Sequence, residues 1–532
     1  MSSRMVDMSG SVRSGSVVLD GIGLGVEDVV RLADGAARPV PDAEAMKRVA
    51  ESWDAARQIA ATGRVYGRST GVGANRNEDV PTEAAAGHGL RLLRSHAGAI
   101  GEELPARQVR AMLAIRANQL LAGGAGLRPS VITALCEALD AAVHPVVNEF
   151  GSVGTGDIAA LAQVGLALAG ERPWRRAGTS LNGASKECVP GADPSAEGAV
   201  VRAPEPQPLD NNDALALISS NALTLGQAAL ALHELRGLIG ATQVVAALSL
   251  LAVDGSHEPY AAPVHAARPH RGSAEVAQRM RELIGAADRP APPLGRIQDP
   301  YGFRCLPQIH GPAHDAADAL EQALTIEINA ATENPLISPE DMAAYHHGGF
   351  YLAQVALALD HFRLAVTQVA RLSTSRLSTL NEPAYTRLRP FLADHEPASS
   401  GVMILEYAAG AALGDLRAFS APASLGHAVL SRGVEEQASF SSLAARQTLR
   451  ACAAYRLVVG CELVAAVRAL RLRDLRPDAD LPVGRALALA ESVLDEDPAD
   501  RPLTDDVTAA ATLLDRFTEI WRGSTSGRTN PQ

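Results

Sequence analysis

The amino-acid sequence predicts a mainly α-helical protein. Only 4% of the 532 residues are aromatic, so alanine, leucine and valine must supply most of the packing. The run at 227–253, QAALALHELRGLIGATQVVAALSLLAV, repeats small apolar residues at helical spacing, and small residues let helices approach closely. The alternation of apolar and polar residues that is typical of strands is scarce. These features together indicate a core of long helices.

The helices are predicted in a definite order along the chain. The first begins near residue 42, and the following helical segments are 81–139, 213–253, 308–333, 350–380 and 401–472. Irregular segments at 63–80, 254–307 and 381–400 are expected to connect them.

The predicted domain organisation is a single helical body with two terminal additions. Residues 1–16 are rich in serine and glycine and are expected to be disordered. The helical body spans 17–475, with a surface excursion at 171–212 where proline, glycine and alanine are frequent. Residues 476–532 form a helical tail.

The composition limits the binding partners and the cellular compartment that we expect for this protein. A net charge of −12 and a pI near 5.7 argue against nucleic acid, which favours basic surfaces. Five cysteines, an odd number without ligand spacing, are typical of reduced thiols in a cytoplasmic protein. The polar N-terminus has no signal core, and no stretch reaches the roughly 18 to 20 charge-free apolar residues of a membrane span. We therefore expect neither a nucleic-acid nor a membrane partner.

Five sequence blocks resemble the histidine/phenylalanine/tyrosine ammonia-lyase family and follow its order. They are VYGRSTGVG (65–73), LLRSHAGAIG (92–101), GSVGTGDIAALA (151–162), RIQDPYGFRCLPQIHG (296–311) and EINAATENPLI (327–337). The family blocks read YGxxTGFG, LLxSHAxGxG, GSVGASGDLAPLA, QDPYSLRCxPQVHG and ExNSxTDNPLI. The resemblance implies a homotetramer of long parallel helices whose active sites combine residues of several subunits, a small amino-acid substrate and no external cofactor.

Elimination of ammonia from an α-amino acid needs a base, a carboxylate clamp and an electrophile. Tyr66 is the base candidate, in a loop where glycines permit close substrate approach. A free tyrosine has a pKa of about 10, so this role requires a perturbed environment. Arg304 can fork two hydrogen bonds onto a carboxylate and Asn334 can donate a third. The structural alternatives are a packed loop aromatic for Tyr66 and a solvated charge for Arg304.

The resemblance assigns further residues to the active site. Tyr301 matches the second active-site tyrosine of the family, and Gln298 and Phe350 match active-site positions more weakly. Glu435 matches a position near the substrate amine, and its alternative is a helix-surface carboxylate. His96 matches a histidine that faces the substrate side chain, and its alternative is a structural histidine.

No metal site is predicted. His310 and His314 stand four residues apart, as zinc ligands can, and His346 and His347 form a loop pair. No cysteine or carboxylate completes a ligand set in register with either pair.

The electrophile is the least conserved part of the resemblance. In the family, Ala-Ser-Gly of the third block cyclises and loses water to give methylidene-imidazolone. Here the block is one residue shorter and reads Gly154-Thr155-Gly156. Ser219 stands where the family has an asparagine that supports the electrophile, and Gly349 replaces a second asparagine. These changes favour an unmodified backbone.

Two alignments of this block are open. If the gap lies upstream, the Gly156 nitrogen attacks the Gly154 carbonyl and Thr155 loses water, which gives an ethylidene ring. If the gap lies inside the tripeptide, no ring forms, and Thr155 or Asp157 is expected to cap the following helix.

Three functions are therefore weighed. The first is a lyase or 2,3-aminomutase acting on an aromatic or histidine-like amino acid through a variant imidazolone. The second is an enzyme on the same scaffold without the electrophile, in which Tyr66 and Tyr301 eliminate an already activated leaving group or close a ring. The third is a non-catalytic homologue, against which the retained tyrosines and clamp count.

Overall fold

A computed structural model describes residues 15–177, 187–188, 203–293 and 295–523. The predicted disorder at 1–16 lies outside the described residues except for 15 and 16, and so does most of the predicted excursion at 171–212. The division into body and tail stays a prediction.

The mainly helical fold is confirmed. The helices are α1 (Val26–Ala33), α2 (Ala43–Thr62), α3 (Thr82–His96), α4 (Ala106–Leu121), α5 (Pro129–Asp140), α6 (Ile158–Leu168), α7 (Asn211–Ile218), α8 (Ala222–Ala252), α9 (Ala262–Ala266), α10 (Arg271–Ile284), α11 (Tyr301–Arg304), α12 (Leu306–Ile328), α13 (Ala353–Leu380), α14 (Pro383–Thr386), α15 (Ile404–Phe419), α16 (Ser441–Leu472), α17 (Pro482–Glu491) and α18 (Thr504–Gly523). The tail thus carries two helices, α17 and α18.

Short strands form four small sheets among the described residues. The strands are β1 (Ser16–Leu19), β2 (Arg38–Pro41), β3 (Ile100–Glu103), β4 (Val143–Pro145), β5 (Asn148–Phe150), β6 (Trp174–Arg176), β7 (Glu187–Cys188), β8 (Leu336–Ser338) and β9 (Ala343–Tyr345). β1 pairs with β2 in parallel, with Ser16 opposite Arg38. The pairs β3–β5, β4–β6, β6–β7 and β8–β9 are antiparallel. These strands hold loops between helices in place and do not form the core.

The described chain divides into two compact units. The first comprises residues 1–233, 321–359 and 422–446. Within it, α3 packs against α6 and α7, and α4 packs against α1 and α5. Every residue of α4 from Val109 to Leu121 is buried, so this helix forms the centre of the unit.

Two buried arginines of α4 bind the carboxyl ends of neighbouring helices in the first unit. Arg110 donates to the carbonyls of Leu32, Ala33 and Leu139, at the ends of α1 and α5. The last carbonyls of a helix have no partner within it, so a buried cation there stabilises both groups. Arg116 Nε likewise donates to the Leu217 carbonyl, at the end of α7, at 2.9 Å.

The second unit comprises residues 234–320, 360–421 and 447–532. One of its buried ion pairs joins Arg376 Nε to Glu462 Oε1 at 2.6 Å. Arg376 Nη1 also donates to the Gly302 carbonyl, and the Tyr260 hydroxyl donates to the Phe303 carbonyl at 2.9 Å. These contacts fix the short helix α11.

The predicted helix at 213–253 is wrong, because the structure divides it into α7 and α8. Ser219 ends α7 with φ −80° and ψ 69°, and the Ser220 hydroxyl accepts the Ala222 N–H at 3.0 Å where α8 begins. Serine and asparagine side chains compete for backbone groups and favour helix ends. The predicted helix at 81–139 is likewise divided, into α3, α4 and α5, with β3 in between.

Among the residues that the structure describes, one helical stretch is long and apolar enough to cross a membrane by length and composition. It spans Asn211–Ala252, and 89% of its most apolar window is buried within the protein. Burial of this kind is typical of a core helix.

The centre of the first unit gives a stability prediction. Replacing Arg116 by methionine leaves the buried Glu333 carboxylate without its cation, so the free energy of unfolding should fall by about 3 to 5 kcal/mol. Chemical denaturation of both proteins measures this. Lys47→Met, which breaks the exposed Lys47–Glu44 pair, is the matched control and should change stability little. Equal midpoints for the two variants would contradict a structural role for Arg116.

Candidate active site

A cavity of about 410 Å³ lies in the first unit. Seven of the twelve residues predicted for the active site line it: Tyr66, Thr155, Gly156, Ser219, Asn334, Phe350 and Glu435. Its other lining residues are Gly73, Arg76, Ile158, Leu215, Ser220, Tyr351, Val434, Glu436 and Gln437. Loops and helix ends supply nearly all of these groups.

Tyr66 is held in a tight glycine-rich loop. Gly67 has φ +68°, and a Cβ built on it would lie 2.2 Å from Leu215 Cδ2, so only glycine fits there. The Tyr66 hydroxyl accepts the Gly73 N–H at 2.8 Å, and the ring meets His346 edge to face at 6.4 Å. The backbone therefore fixes the phenol at the cavity wall.

The surroundings of Tyr66 favour its neutral form. Burial raises the pKa of Tyr66, and the negative charge of Glu435 adds to this. The Gly73 N–H and the cation of Arg76 lower the pKa but do not reverse the shift. The predicted base thus needs a further positive charge in order to ionise near neutral pH.

Four hydrogen bonds hold the Gly154–Thr155–Gly156 turn. Ser152 Oγ accepts the Gly154 N–H and donates to the Gly156 carbonyl, both at 3.1 Å. Ser439 Oγ donates to the Gly154 carbonyl at 2.8 Å. Asn221 Oδ1 accepts the Gly156 N–H at 3.1 Å. Each backbone polar group of the two glycines is therefore satisfied in the open turn.

The space around Gly154 excludes a side chain at this position. Gly154 has φ +91°, and a Cβ on it would lie 2.2 Å from Ser439 Oγ and 2.8 Å from the Phe440 nitrogen. An alanine therefore has no room at this position. The Ser219 hydroxyl accepts the Asn334 N–H at 3.0 Å, and Asn221 Nδ2 donates to the Phe350 carbonyl at 2.6 Å. Ser219 and Asn221 are therefore both bound to backbone groups of other loops.

The expected side-chain cap of the helix after this turn is not formed. Asp157 stands at the N-cap of α6 but makes no side-chain cap bond. Its buried carboxylate instead accepts the Thr224 N–H at 2.7 Å and the Thr224 hydroxyl at 3.0 Å. Burial raises the pKa of Asp157, and the bonds from Thr224 oppose this. Asp157 therefore ties the turn to the first residues of α8.

Asn334 is positioned by its neighbours on three sides. Its N–H is bound to Ser219, and its Oδ1 accepts the His347 N–H at 3.0 Å. His347 Nε2 lies 2.7 Å from the Glu333 carbonyl, and His347 Nδ1 accepts the Gly349 N–H at 2.8 Å. This network leaves the Asn334 amide nitrogen available to a ligand and fixes the loop that carries Phe350.

Five predicted residues do not line the cavity. Gly154 is not part of the lining, although its neighbours Thr155 and Gly156 are. His96 ends α3 in the first unit, where its Nδ1 lies 2.9 Å from the Leu92 carbonyl. Gln298, Tyr301 and Arg304 belong to the second unit.

The face of α11 carries the predicted clamp. Tyr301 is 65% exposed, and the Arg304 guanidinium stacks on its ring at 4.4 Å from the centroid. Arg304 Nε is buried and has no hydrogen-bond partner within the described residues. A cation presented beside an exposed tyrosine is suited to a carboxylate ligand.

Sequence reasoning missed several cavity residues. Arg76, Tyr351, Glu436 and Gln437 line it, and Asn221 contacts the turn behind it. The cavity-facing orientation of Arg76 follows from the Gly73 turn, which the sequence does not specify.

Within the described residues no group of three or more histidine, cysteine, aspartate or glutamate side chains could hold a metal ion. Burial lowers the pKa of His310 well below its ordinary value, and that of His314 to about 4. Burial therefore favours the neutral form of both rings.

Comparison with known proteins places the chain. Residues 24–492 match the family model of the aromatic amino acid lyases. The histidine ammonia-lyase of Geobacillus kaustophilus is 34% identical over 466 residues, which cover 86% of this chain and 89% of that protein.

Solved structures agree with this. The ergothioneine-degrading enzyme ergothionase of Treponema denticola superposes with a TM-score of 0.84 at 25% identity, covering 95% of this chain and 99% of that one. The tyrosine aminomutase of Streptomyces globisporus gives 0.84 at 26% identity, with 97% and 99% covered. The chain therefore belongs to the aromatic amino acid lyase family.

Proposed function

We propose that the protein is a lyase that eliminates an amine from an α-amino acid, or an α-amino acid derivative, with an aromatic or imidazole side chain. The observation that carries this proposal is the cavity that brings Tyr66, Asn334 and Glu435 together with the 154–156 turn. The names of the relatives, histidine ammonia-lyase and tyrosine aminomutase, support amino-acid chemistry.

Tyr66 is the acid–base residue in this proposal. Its phenolate takes the proton from the β-carbon of the substrate, and the Gly73 N–H stabilises the phenolate charge by hydrogen bonding. Arg76 supplies part of the positive charge that ionisation requires. A cationic substrate nitrogen supplies the rest.

The carboxylate clamp is proposed to be shared between copies. Asn334 lines the cavity, whereas Arg304 and Tyr301 lie on the exposed face of α11 in the second unit. In the resembling family, active sites combine residues of several subunits, so we propose a homotetramer in which the α11 face of a second copy completes the site. Arg304 would then fork onto the substrate carboxylate. The four cysteines with described side chains form no disulfide with one another, which supports a cytoplasmic location.

We propose that the turn stays open, without an imidazolone. The space around Gly154 and the contacts of Ser219 and Asn221 support this. Elimination then depends on a leaving group that needs no activation by the protein. A second candidate is ammonia elimination through an ethylidene-imidazolone. One observation favours it, because Ser439 polarises the Gly154 carbonyl that ring closure would attack.

The base assignment predicts a large loss of turnover in Tyr66→Phe. This change keeps the ring and removes the ionisable oxygen, so kcat should fall at least roughly a hundredfold with little change in melting temperature. Tyr345→Phe is the matched control, because Tyr345 is half exposed in β9 and its hydroxyl contacts Asp341 outside the cavity. Full activity in Tyr66→Phe would make Tyr66 a structural residue.

The charges around Tyr66 predict opposite shifts in the pH profile. Activity should rise with pH as the phenol ionises, because the phenolate is the active form. Glu435 raises the pKa of Tyr66, so Glu435→Gln should move the rising limb of kcat/KM to lower pH. Arg76 lowers that pKa, so Arg76→Gln should move the limb to higher pH. Shifts of the same sign in both variants would exclude Tyr66 as the titrating base.

The state of the turn is decided by intact mass. An open turn predicts the encoded mass, whereas the ring would remove two molecules of water. Thr155→Ala should keep its activity, since the Thr155 hydroxyl has no hydrogen bond within the described part of the chain. A dehydrated wild-type chain, together with an inactive and well-folded Thr155→Ala, would establish the second candidate instead.

A further inference from the structure

Two carboxylates line the cavity. Glu435 and Glu436 both line it, and neither forms an ion pair within the described residues. Arg76 is the single cation among the lining residues, and it too has no carboxylate partner in that part of the chain. The lining therefore has an excess of negative charge that a ligand can balance.

Glu435 and the Tyr66 phenol flank the same backbone position. The Gly73 N–H is bound to the Tyr66 hydroxyl at 2.8 Å, and a Cβ built on Gly73 would lie 3.7 Å from Glu435 Oε1. Ser431 Oγ accepts the Ala74 N–H at 2.9 Å and so ties this loop to the segment that carries Glu435. The carboxylate and the phenol are thus held close together.

Three aromatic side chains also line the cavity. Phe350 and Tyr351 line the cavity with Tyr66, and the Phe350 carbonyl is anchored by Asn221. Aromatic faces combined with carboxylates attract quaternary ammonium groups, which have a diffuse charge and no hydrogen to donate. A primary ammonium would in contrast favour a tight set of hydrogen-bond acceptors.

The open turn favours the same ligand class on chemical grounds. The N–H protons of a primary ammonium are far more acidic than a β-proton, so a tyrosine base would take them first and leave a poor leaving group. A quaternary ammonium has no N–H and leaves as a neutral tertiary amine. It therefore needs no electrophile.

We propose that the leaving group is a quaternary ammonium, so that the substrate is an α-N,N,N-trimethyl amino acid with an imidazole or aryl side chain. This rests on the proposed elimination at Tyr66. The phenolate takes the β-proton, the C–H electron pair becomes the Cα–Cβ double bond, and the Cα–N bond breaks. Trimethylamine leaves with the electron pair of the Cα–N bond, and the products are an unsaturated carboxylate and a neutral Tyr66.

The fixed positive charge has a second effect in the bound state. Next to Glu435 it offsets the carboxylate that favours the neutral phenol, so substrate binding itself promotes ionisation of Tyr66. The retained Glu435 thereby contributes to binding without preventing base formation.

Matched substrate pairs test the proposal on the full-length protein. Histidine, phenylalanine and tyrosine are each compared with their N,N,N-trimethyl derivatives. Both members of a pair give the same unsaturated acid, so one ultraviolet assay measures both, and the released amine is identified by mass spectrometry. At least one trimethyl derivative should exceed its parent in kcat/KM by at least about a hundredfold.

Protein variants and ligand analogues distinguish recognition of the ligand's positive charge from recognition of its shape. Glu435→Gln should raise KM for the trimethyl substrate about tenfold at an unchanged melting temperature. Glu83→Gln, an exposed change on α3 outside the cavity, is the control and should have no effect. A neutral analogue with a tert-butyl group in place of trimethylammonium should inhibit at least about tenfold more weakly than a non-reactive trimethylammonium analogue.

Preference for a parent amino acid over its trimethyl derivative would overturn the leaving-group proposal and leave the Tyr66 elimination standing. Equal inhibition by the neutral and charged analogues would also overturn it. If neither member of any pair is turned over, the proposed elimination fails together with the inference.

Discussion

The buried contact between Arg116 and Glu333 organises the first unit and its cavity. Arg116 Nη1 lies 2.8 Å from Glu333 Oε1, both side chains are 1% exposed, and Arg116 Nε donates to the Leu217 carbonyl at 2.9 Å. One guanidinium therefore fixes the end of α7 and the residue before Asn334. Since Ser219 follows that helix end directly, the same cation sets both sides of the Ser219–Asn334 hydrogen bond. Burial lowers the pKa of Arg116 and the Glu333 carboxylate opposes this, so the pair depends on its geometry.

The cavity combines burial with uncompensated charge. A phenol in such a place is easier to keep neutral than to ionise, and Glu435 strengthens that tendency. A protein that only packed Tyr66 would have no use for Glu435 and Arg76 beside it, since each changes the energy of a charge that never forms. In the function that we propose, Glu435 binds a cationic ligand, while the charge of that ligand and of Arg76 favours the phenolate. The charges that line the cavity are in this sense complementary to a charge that is not part of the chain.

The sequence predicted the helical class and the family, because ordered motifs and small apolar residues at helical spacing are local features. It also predicted seven of the residues that line the cavity. It wrongly predicted one continuous helix across Ser219–Asn221, because the apolar periodicity continues through these residues. Their short polar side chains bind backbone groups and so divide the helix. It could not find Arg76 or the contact of Asn221, because each depends on how distant loops meet. The roles of Tyr301 and Arg304 stay predictions, since those residues lie in the second unit.

The backbone conformation of the 154–156 turn bears directly on the elimination that we propose. At Gly154 the serine and backbone of 439–440 occupy the space that a side chain would need, so the tripeptide cannot recover alanine without moving that segment. The same Ser439 binds the Gly154 carbonyl, and Ser442 Oγ binds the Ser152 carbonyl at 2.8 Å. Ser439 and the start of α16 thus hold the 154–156 turn in place. If the turn stays open, as we propose, the protein supplies no electrophile for an amine, and elimination then requires a cationic nitrogen that cannot lose its charge to the base as an N–H proton.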